Sequence, residues 1–104
     1  MTTIRDNTAE HRYALLDGDD LSVIAEYRRD EQAITLTHTE TRRGHEGKGL
    51  AKQLVTAALA EARAAGLAVL PECPYVRKVI ANDPTAYLDL VPPGARARFG
   101  LPTG

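Results

Sequence analysis

Apolar and polar residues alternate along the first half of the chain, which is the pattern of strands with one buried face. Three such runs span residues 10–16, 21–28 and 34–41. The first two are separated by Asp17-Gly18-Asp19-Asp20, a typical turn sequence. Because the connections are short, the three runs predict an antiparallel meander.

After the third strand the apolar period changes to that of a helix. The predicted helix carries one apolar stripe, formed by Leu50, Leu54, Ala58, Ala62 and Ala65. It should end at Gly66, a natural C-terminal stop. The apolar run 67–71 then predicts a buried strand that returns parallel to the third strand, in a right-handed crossover. Further helices are predicted from Pro74 and over residues 83–90.

These elements predict an α/β fold of the α+β type, in which an antiparallel meander and a strand–helix–strand crossover form one mixed sheet. The 104 residues leave room for a single domain. We expect a flexible N-terminus over residues 1–8, the domain over 9–91, and a mobile tail over 92–104.

Composition narrows the functional classes. The formal net charge is -1, so the chain lacks the basic field of a nucleic-acid-binding domain. The sequence shows no apolar stretch of membrane-spanning length and no signal-peptide segment at its N-terminus. One cysteine and three scattered histidines do not form a zinc-binding spacing. We therefore expect a cytoplasmic protein, a monomer or weak dimer, without metal, membrane or nucleic-acid partners.

The most informative segment is a basic, glycine-rich loop, Arg42-Arg43-Gly44-His45-Glu46-Gly47-Lys48-Gly49, which precedes the long helix. The first amides of a helix lack intrahelical partners and carry partial positive charge. Glycines allow an anion such as phosphate to approach these amides closely. The loop matches neither the P-loop spacing nor the dinucleotide-binding glycine pattern. Two interpretations remain open, an anion site and a flexible turn with solvated charges.

The run from Glu46 to Val55 resembles the acetyl-CoA loop of the GNAT N-acetyltransferases, whose pattern is Gln/Arg-x-x-Gly-x-Gly/Ala. Gly49 and Ala51 match the last two conserved positions, and Glu46 stands where the family has Gln or Arg. The variant Glu-Gly-x-Gly-Leu is similar to that of small, single-domain members of the superfamily.

Two other segments resemble the same small subfamily. His38-Thr39-Glu40 precedes the loop, and Pro71-Glu72-Cys73-Pro74-Tyr75-Val76 follows the returning strand. The similarity covers roughly residues 10–91. It implies a GNAT-like fold with acetyl-CoA as the cofactor.

The resemblance implies an N-acetyltransferase that acts on an amine of a small molecule or peptide. It places the cofactor's pantetheine arm between two splayed strands, 34–41 and 67–71. Typical relatives carry two helices where this chain has the turn Asp17–Asp20, so the acceptor site should be open. A non-catalytic acyl-CoA-binding or regulatory module is the alternative. The residues implied in cofactor binding are Glu46, Gly47, Lys48, Gly49, Leu50, Ala51 and Lys52.

His38 and Glu40 are candidate catalytic bases. Strict alternation places both on the same face as Ile34 and Leu36. Acetylation needs a neutral amine, so a group that removes the amine's proton would assist the reaction. The alternative is that the two side chains lie at a solvated edge or support the loop.

Cys73 is the third catalytic candidate. It precedes Pro74, the expected first residue of a helix, and a helix N-terminus stabilises a thiolate. The resemblance places it near the acetyl thioester, where it could accept the acetyl group or protonate the leaving thiolate. A buried cysteine can equally be a small apolar filler, and Tyr75 a packing residue with a satisfied hydroxyl.

Overall fold

A computed structural model describes residues 1–103 of the chain. Four strands form an antiparallel meander, and a fifth pairs in parallel with the fourth. The strands are β1 (Thr2–Asn7), β2 (Arg12–Asp17), β3 (Asp20–Arg29), β4 (Ala33–Thr41) and β5 (Ala68–Pro71). The predicted mixed sheet is confirmed, with one strand more than the sequence predicted.

The crossover helix connects β4 to β5, as the sequence predicted. The helices are α1 (Leu50–Ala64), α2 (Pro74–Asn82), α3 (Pro84–Tyr87) and α4 (Pro93–Arg96). Gly66, with φ of 71°, takes the left-handed conformation that follows the end of α1. In the part of the chain that the structure describes, no helix is long and apolar enough to cross a membrane.

The apolar stripe of α1 packs on one face of the sheet and forms a single core with it. Leu54, Val55 and Leu59 are fully buried. They belong to one cluster with the inward-facing residues of the sheet, which include Leu15, Val23, Ile34 and Val69. Burial of each such side chain contributes about 1.5–3 kcal/mol. This core fixes α1, and with it the glycine-rich loop, against β4.

The N-terminus differs from the sequence prediction. Six of the eight residues predicted to be flexible form β1. Its side chains also bond to the rest of the domain: the Tyr27 hydroxyl donates to Asp6 at 2.5 Å, and Gln53 donates to Thr2 at 3.1 Å. The strand escaped prediction because its mostly polar residues give no apolar period.

The C-terminal segment, predicted to be a mobile tail, also packs on the domain. Phe99 and Leu101 are buried in the core cluster. The guanidinium carbons of Arg77 and Arg98 lie 5.3 and 4.5 Å from the centre of the Phe99 ring. Two isolated apolar residues are too few to form a periodic pattern, so this packing could not be predicted from the sequence.

A β-bulge in β4 changes which side chains reach the core. Tyr27 of β3 pairs with Leu36, but the preceding Glu26 pairs with His38, so Thr37 is the extra residue. An extra residue reverses the alternation that follows it. From His38 onward, each side chain of β4 therefore lies on the face of the sheet opposite to the one predicted by strict alternation.

Candidate active site

The bulge corrects the predicted position of His38 and Glu40. They do not share the face of Ile34 and Leu36; they project from the opposite face of the sheet. The pairing of Glu40 with Ile24, a residue outside the core cluster, places it there. The prediction assumed that side chains alternate between the two faces along the whole of β4, and this alternation is interrupted where one residue is inserted into the strand.

On this outer face Glu40 lies between two cationic or potentially cationic groups. One carboxylate oxygen is 3.7 Å from Nε2 of His38, and the other is 3.4 Å from Nη1 of Arg42. The side chains of His38 and Glu40 are 54% and 44% exposed. Solvent screens such pairs, so they hold the side chains only loosely. Glu40 is thus available to a molecule that approaches from solvent.

Cys73 lies on the other side of the β4 backbone. Thr39 pairs with the core residue Ala25 and so faces inward. The Cys73 thiol is only 4% exposed and donates to the Thr39 hydroxyl at 3.5 Å. It is also the residue directly before α2, as the sequence predicted. Cys73 and Glu40 therefore approach β4 from opposite faces.

Between these two side chains, β4 and β5 separate. Their last paired residues are Leu36 and Pro71, and the Cys73 amide donates to the Leu36 carbonyl at 2.9 Å. Beyond this point β4 continues over residues 37–41, whereas the other chain turns into α2. A strand edge without a partner exposes N–H and C=O groups. This open edge runs from Cys73 to the glycine-rich loop.

Three glycines shape the loop. Gly44, Gly47 and Gly49 have φ of 89°, 77° and 72°, a conformation that side chains with a Cβ disfavour. Gly49 is the N-cap residue of α1, and within residues 1–103 no side chain caps this end of the helix. The first amides of α1 are therefore suited to an external anion.

His45 fastens the loop to β3, a role that the sequence did not reveal. Its Nδ1 is 3.0 Å from the hydroxyl of Ser22, which is fully buried. Because that hydroxyl donates to the Asp20 carbonyl, Nδ1 of His45 is the donor in the second bond. The Arg42 amide also donates to the Ser22 carbonyl, at 2.8 Å. Ser22 is the extra residue of a second bulge, which a single sequence does not mark.

Glu46 folds back onto the loop. Its carboxylate accepts the Gly44 amide at 2.7 Å. Hydrogen bonds from the backbone amides of Glu46 and Gly44 lower the pKa of the Glu46 carboxyl below its ordinary value. In this structure the loop therefore binds a carboxylate of its own.

Two adjoining cavities lie at the start of α1. The first, of about 190 Å³, is lined by Thr41, His45, Glu46, Gly47, Gly49, Leu50, Ala51, Lys52 and Tyr75. These include every predicted cofactor residue except Lys48, which is exposed beside them. The second, of about 400 Å³, lies between α1 and α2 and shares Lys52 and Tyr75 with the first. Lys78 also lines the second cavity, so all three lysines of the chain lie at or beside these two cavities.

No metal centre competes with this site in the described residues. Across positions 1–103, no group of three or more His, Cys, Asp or Glu side chains is placed to hold a metal ion. The three catalytic candidates are the thiol of Cys73, the carboxylate of Glu40 and the imidazole of His38, and the glycine-rich loop lies beyond them along β4.

Comparison with known proteins agrees with this architecture. A family model described as GCN5-related N-acetyl-transferase matches residues 12–90. Comparison with curated proteins gave no match. The matched segment contains β2 to β5, the glycine-rich loop, α1 and α2. It spans well over half of the 104 residues. The chain therefore belongs to the GCN5-related N-acetyltransferase (GNAT) family.

Proposed function

We propose that this protein transfers the acetyl group of acetyl-CoA to an amine acceptor. Membership of the family supports an acetyltransferase-type enzyme. The observation that carries the proposal is the open edge of β4, which joins the uncapped N-terminus of α1 to Cys73. An extended cofactor with an anionic end and a reactive end would suit such a path.

The diphosphate of the cofactor would bind at the N-terminus of α1. Gly47, Gly49 and Ala51 line the cavity beside this helix end. The first amides of α1 have no partner within the helix, and the helix dipole favours negative charge there. Lys48 and Lys52, both exposed, would supply the opposing positive charge. The remaining predicted contacts, Glu46 and Leu50, line the same cavity.

The pantetheine arm would continue along β4. It contains amide groups, and an extended chain with amides can pair with a free strand edge as an added strand does. Residues 37–41 offer about 13 Å of such an edge. At its far end the thioester would reach the Thr37 bulge, beside Thr39 and the Cys73 thiol.

The two faces of β4 suggest how the reaction proceeds. The amine enters from the outer face and loses a proton to Glu40, or to His38, directly or through water. Its nitrogen attacks the thioester carbonyl carbon, and the carbon–sulfur bond breaks. The Cys73 thiol, on the inner face, gives its proton to the departing thiolate. The second proton that the nitrogen loses as the amide forms returns to Cys73 through water, and the base releases its proton to solvent. In the alternative route Cys73 itself accepts the acetyl group before the amine does.

The first test is calorimetric titration of the protein with acetyl-CoA, with CoA and ATP as comparisons. Micromolar binding of the two CoA species, and much weaker binding of ATP, is expected because ATP has no arm to pair with β4. Absence of binding, or equal binding of ATP, would contradict the proposed cofactor site.

Catalysis is then tested by transfer of a labelled acetyl group to a panel of amines and lysine peptides. Glu40→Gln should lower kcat at least tenfold without changing the affinity for acetyl-CoA. The change in kcat for His38→Gln shows how much of the proton removal depends on His38. If Glu40→Gln and Cys73→Ala both leave transfer unchanged, these residues have no catalytic role. If the protein binds acetyl-CoA but transfers acetyl to none of the acceptors, the acyl-CoA-binding module becomes the better description.

A further inference from the structure

The carboxylate of Glu46 occupies amides of the same loop that is proposed to bind an anion. It accepts the Gly44 amide at 2.7 Å, and the backbone amide of Glu46 also stabilises its charged form. Glu46 lines the cavity at the start of α1 together with Gly47, Gly49 and Lys52. A negative charge therefore already lies at the edge of the cavity that is proposed to bind the diphosphate.

The position of this charge within the chain is unusual. Glu46 is the only acidic residue between Glu40 and Glu61, in a segment that also contains two arginines and two lysines. The segment would be more favourable to an anion without it. The residue before it, His45, is fixed to the buried Ser22, so Glu46 is held at the rim of the cavity.

The residue after it, Gly47, has open space around it. Gly47 has φ of 77°, and a Cβ placed there would contact nothing within 4 Å. Rotation at Gly47 and within the exposed Glu46 side chain can turn the carboxylate out of the loop without disturbing the core. The loop can thus exchange an internal anion for an external one.

We propose that Glu46 is an internal competitor of the cofactor: its carboxylate holds the loop in the free protein and must leave when a diphosphate binds. This inference rests on the proposed cofactor site. It implies that Glu46 weakens cofactor binding and speeds the release of CoA, because the displaced carboxylate is ready to return to the amides.

The test compares the affinity for CoA of the wild type, Glu46→Gln and Glu46→Ala. The first variant removes only the charge, and the second also removes the acceptor. Both should bind CoA about three- to tenfold more tightly at low salt, with slower dissociation, and the gain should shrink as ionic strength rises. Glu31→Gln, which makes the same change of net charge at an exposed residue before β4, is the matched control and should bind as the wild type does.

A second measurement follows the Gly44 amide proton by NMR. In the free protein its resonance should differ between the wild type and Glu46→Ala, since only the wild type has the hydrogen bond. In the CoA-saturated proteins the two resonances should converge. If the wild type binds CoA but its Gly44 amide resonance does not change, this inference alone is wrong. The same holds if Glu46→Gln binds CoA as tightly as the wild type or more weakly. Absence of CoA binding in all variants overturns the proposed function and this inference together.

Discussion

A substitution at Gly49 separates the electrostatics of the proposed anion site from the stability of the fold. Gly49 is the N-cap of α1, with φ of 72° and ψ of 13°. Aspartate and asparagine have nearly the same shape, and both visit this left-handed conformation. Gly49→Asp and Gly49→Asn therefore differ chiefly by one negative charge at the first amides of the helix.

The magnitude follows from the geometry. A left-handed backbone costs an ordinary residue about 1–2 kcal/mol, and less for Asp or Asn. Because both variants take the same backbone conformation, each should lower the free energy of unfolding by about 1 kcal/mol, and by nearly the same amount. Two unit charges about 4 Å apart repel by about 1 kcal/mol in water and 4 kcal/mol near a protein surface. At this exposed site we take about 2–3 kcal/mol, which is a 30- to 150-fold loss of affinity.

The assay is calorimetric titration with CoA, alongside urea unfolding of each variant. Gly49→Asp should bind CoA about 30- to 150-fold more weakly than Gly49→Asn, and the ratio should fall at high salt. If both variants fold and bind CoA equally, no anion lies at the N-terminus of α1, and the proposed diphosphate site is wrong. If both lose binding equally, the glycine backbone and not the charge controls the site.

Three further predictions concern other parts of the molecule. Cys73→Ala should reduce acetyl transfer at least tenfold while acetyl-CoA binding persists. If the thiol acts as an acid, Cys73→Ser should retain more activity, because it keeps a proton donor. A labelled thioester on the intact enzyme would favour the acyl-enzyme route instead. Phe99→Ala should lower the free energy of unfolding, measured in urea, by about 3 kcal/mol, because it leaves a cavity at a buried position. Arg98→Ala, at an exposed position, should lower it much less. If Phe99→Ala leaves the stability unchanged, the C-terminal segment does not pack on the domain. Burial and the hydrogen bond to Asp6 raise the pKa of Tyr27 to about 12. The unfolded phenol ionises near pH 10, so the free energy of unfolding should fall between pH 10 and about 12, and Tyr27→Phe should reduce that fall.

The sequence predicted the elements that carry the core well. The apolar stripe of α1, the glycine that follows it and the apolar run of β5 all rest on buried side chains with a regular period. Burial is the main source of stability, so it leaves the clearest pattern in the sequence. The parallel pairing of β4 and β5 followed from the same pattern.

What the sequence missed depends on pairs of residues and not on periods. β1 is held by its backbone pairing with β2 and by individual side-chain hydrogen bonds, such as that from Tyr27 to Asp6. The link between His45 and Ser22 joins residues 23 positions apart. Such contacts exist only after the chain has folded, and one sequence contains no covariation from which to infer them.

The bulge at Thr37 is the omission with the greatest consequence for the site. Without it, alternation would place His38 and Glu40 on the core face beside Leu36, where an ionised carboxylate would be costly. With it, the threonine side chains at 39 and 41 face inward, and Glu40 reaches solvent. One inserted residue thus gives β4 a buried side, where the proposed mechanism places the leaving thiol, and a solvent-exposed side, where it places the incoming amine. Deletion of Thr37 should return Glu40 to the inner face and abolish acetyl transfer, even if calorimetric titration shows that the glycine-rich loop still binds CoA.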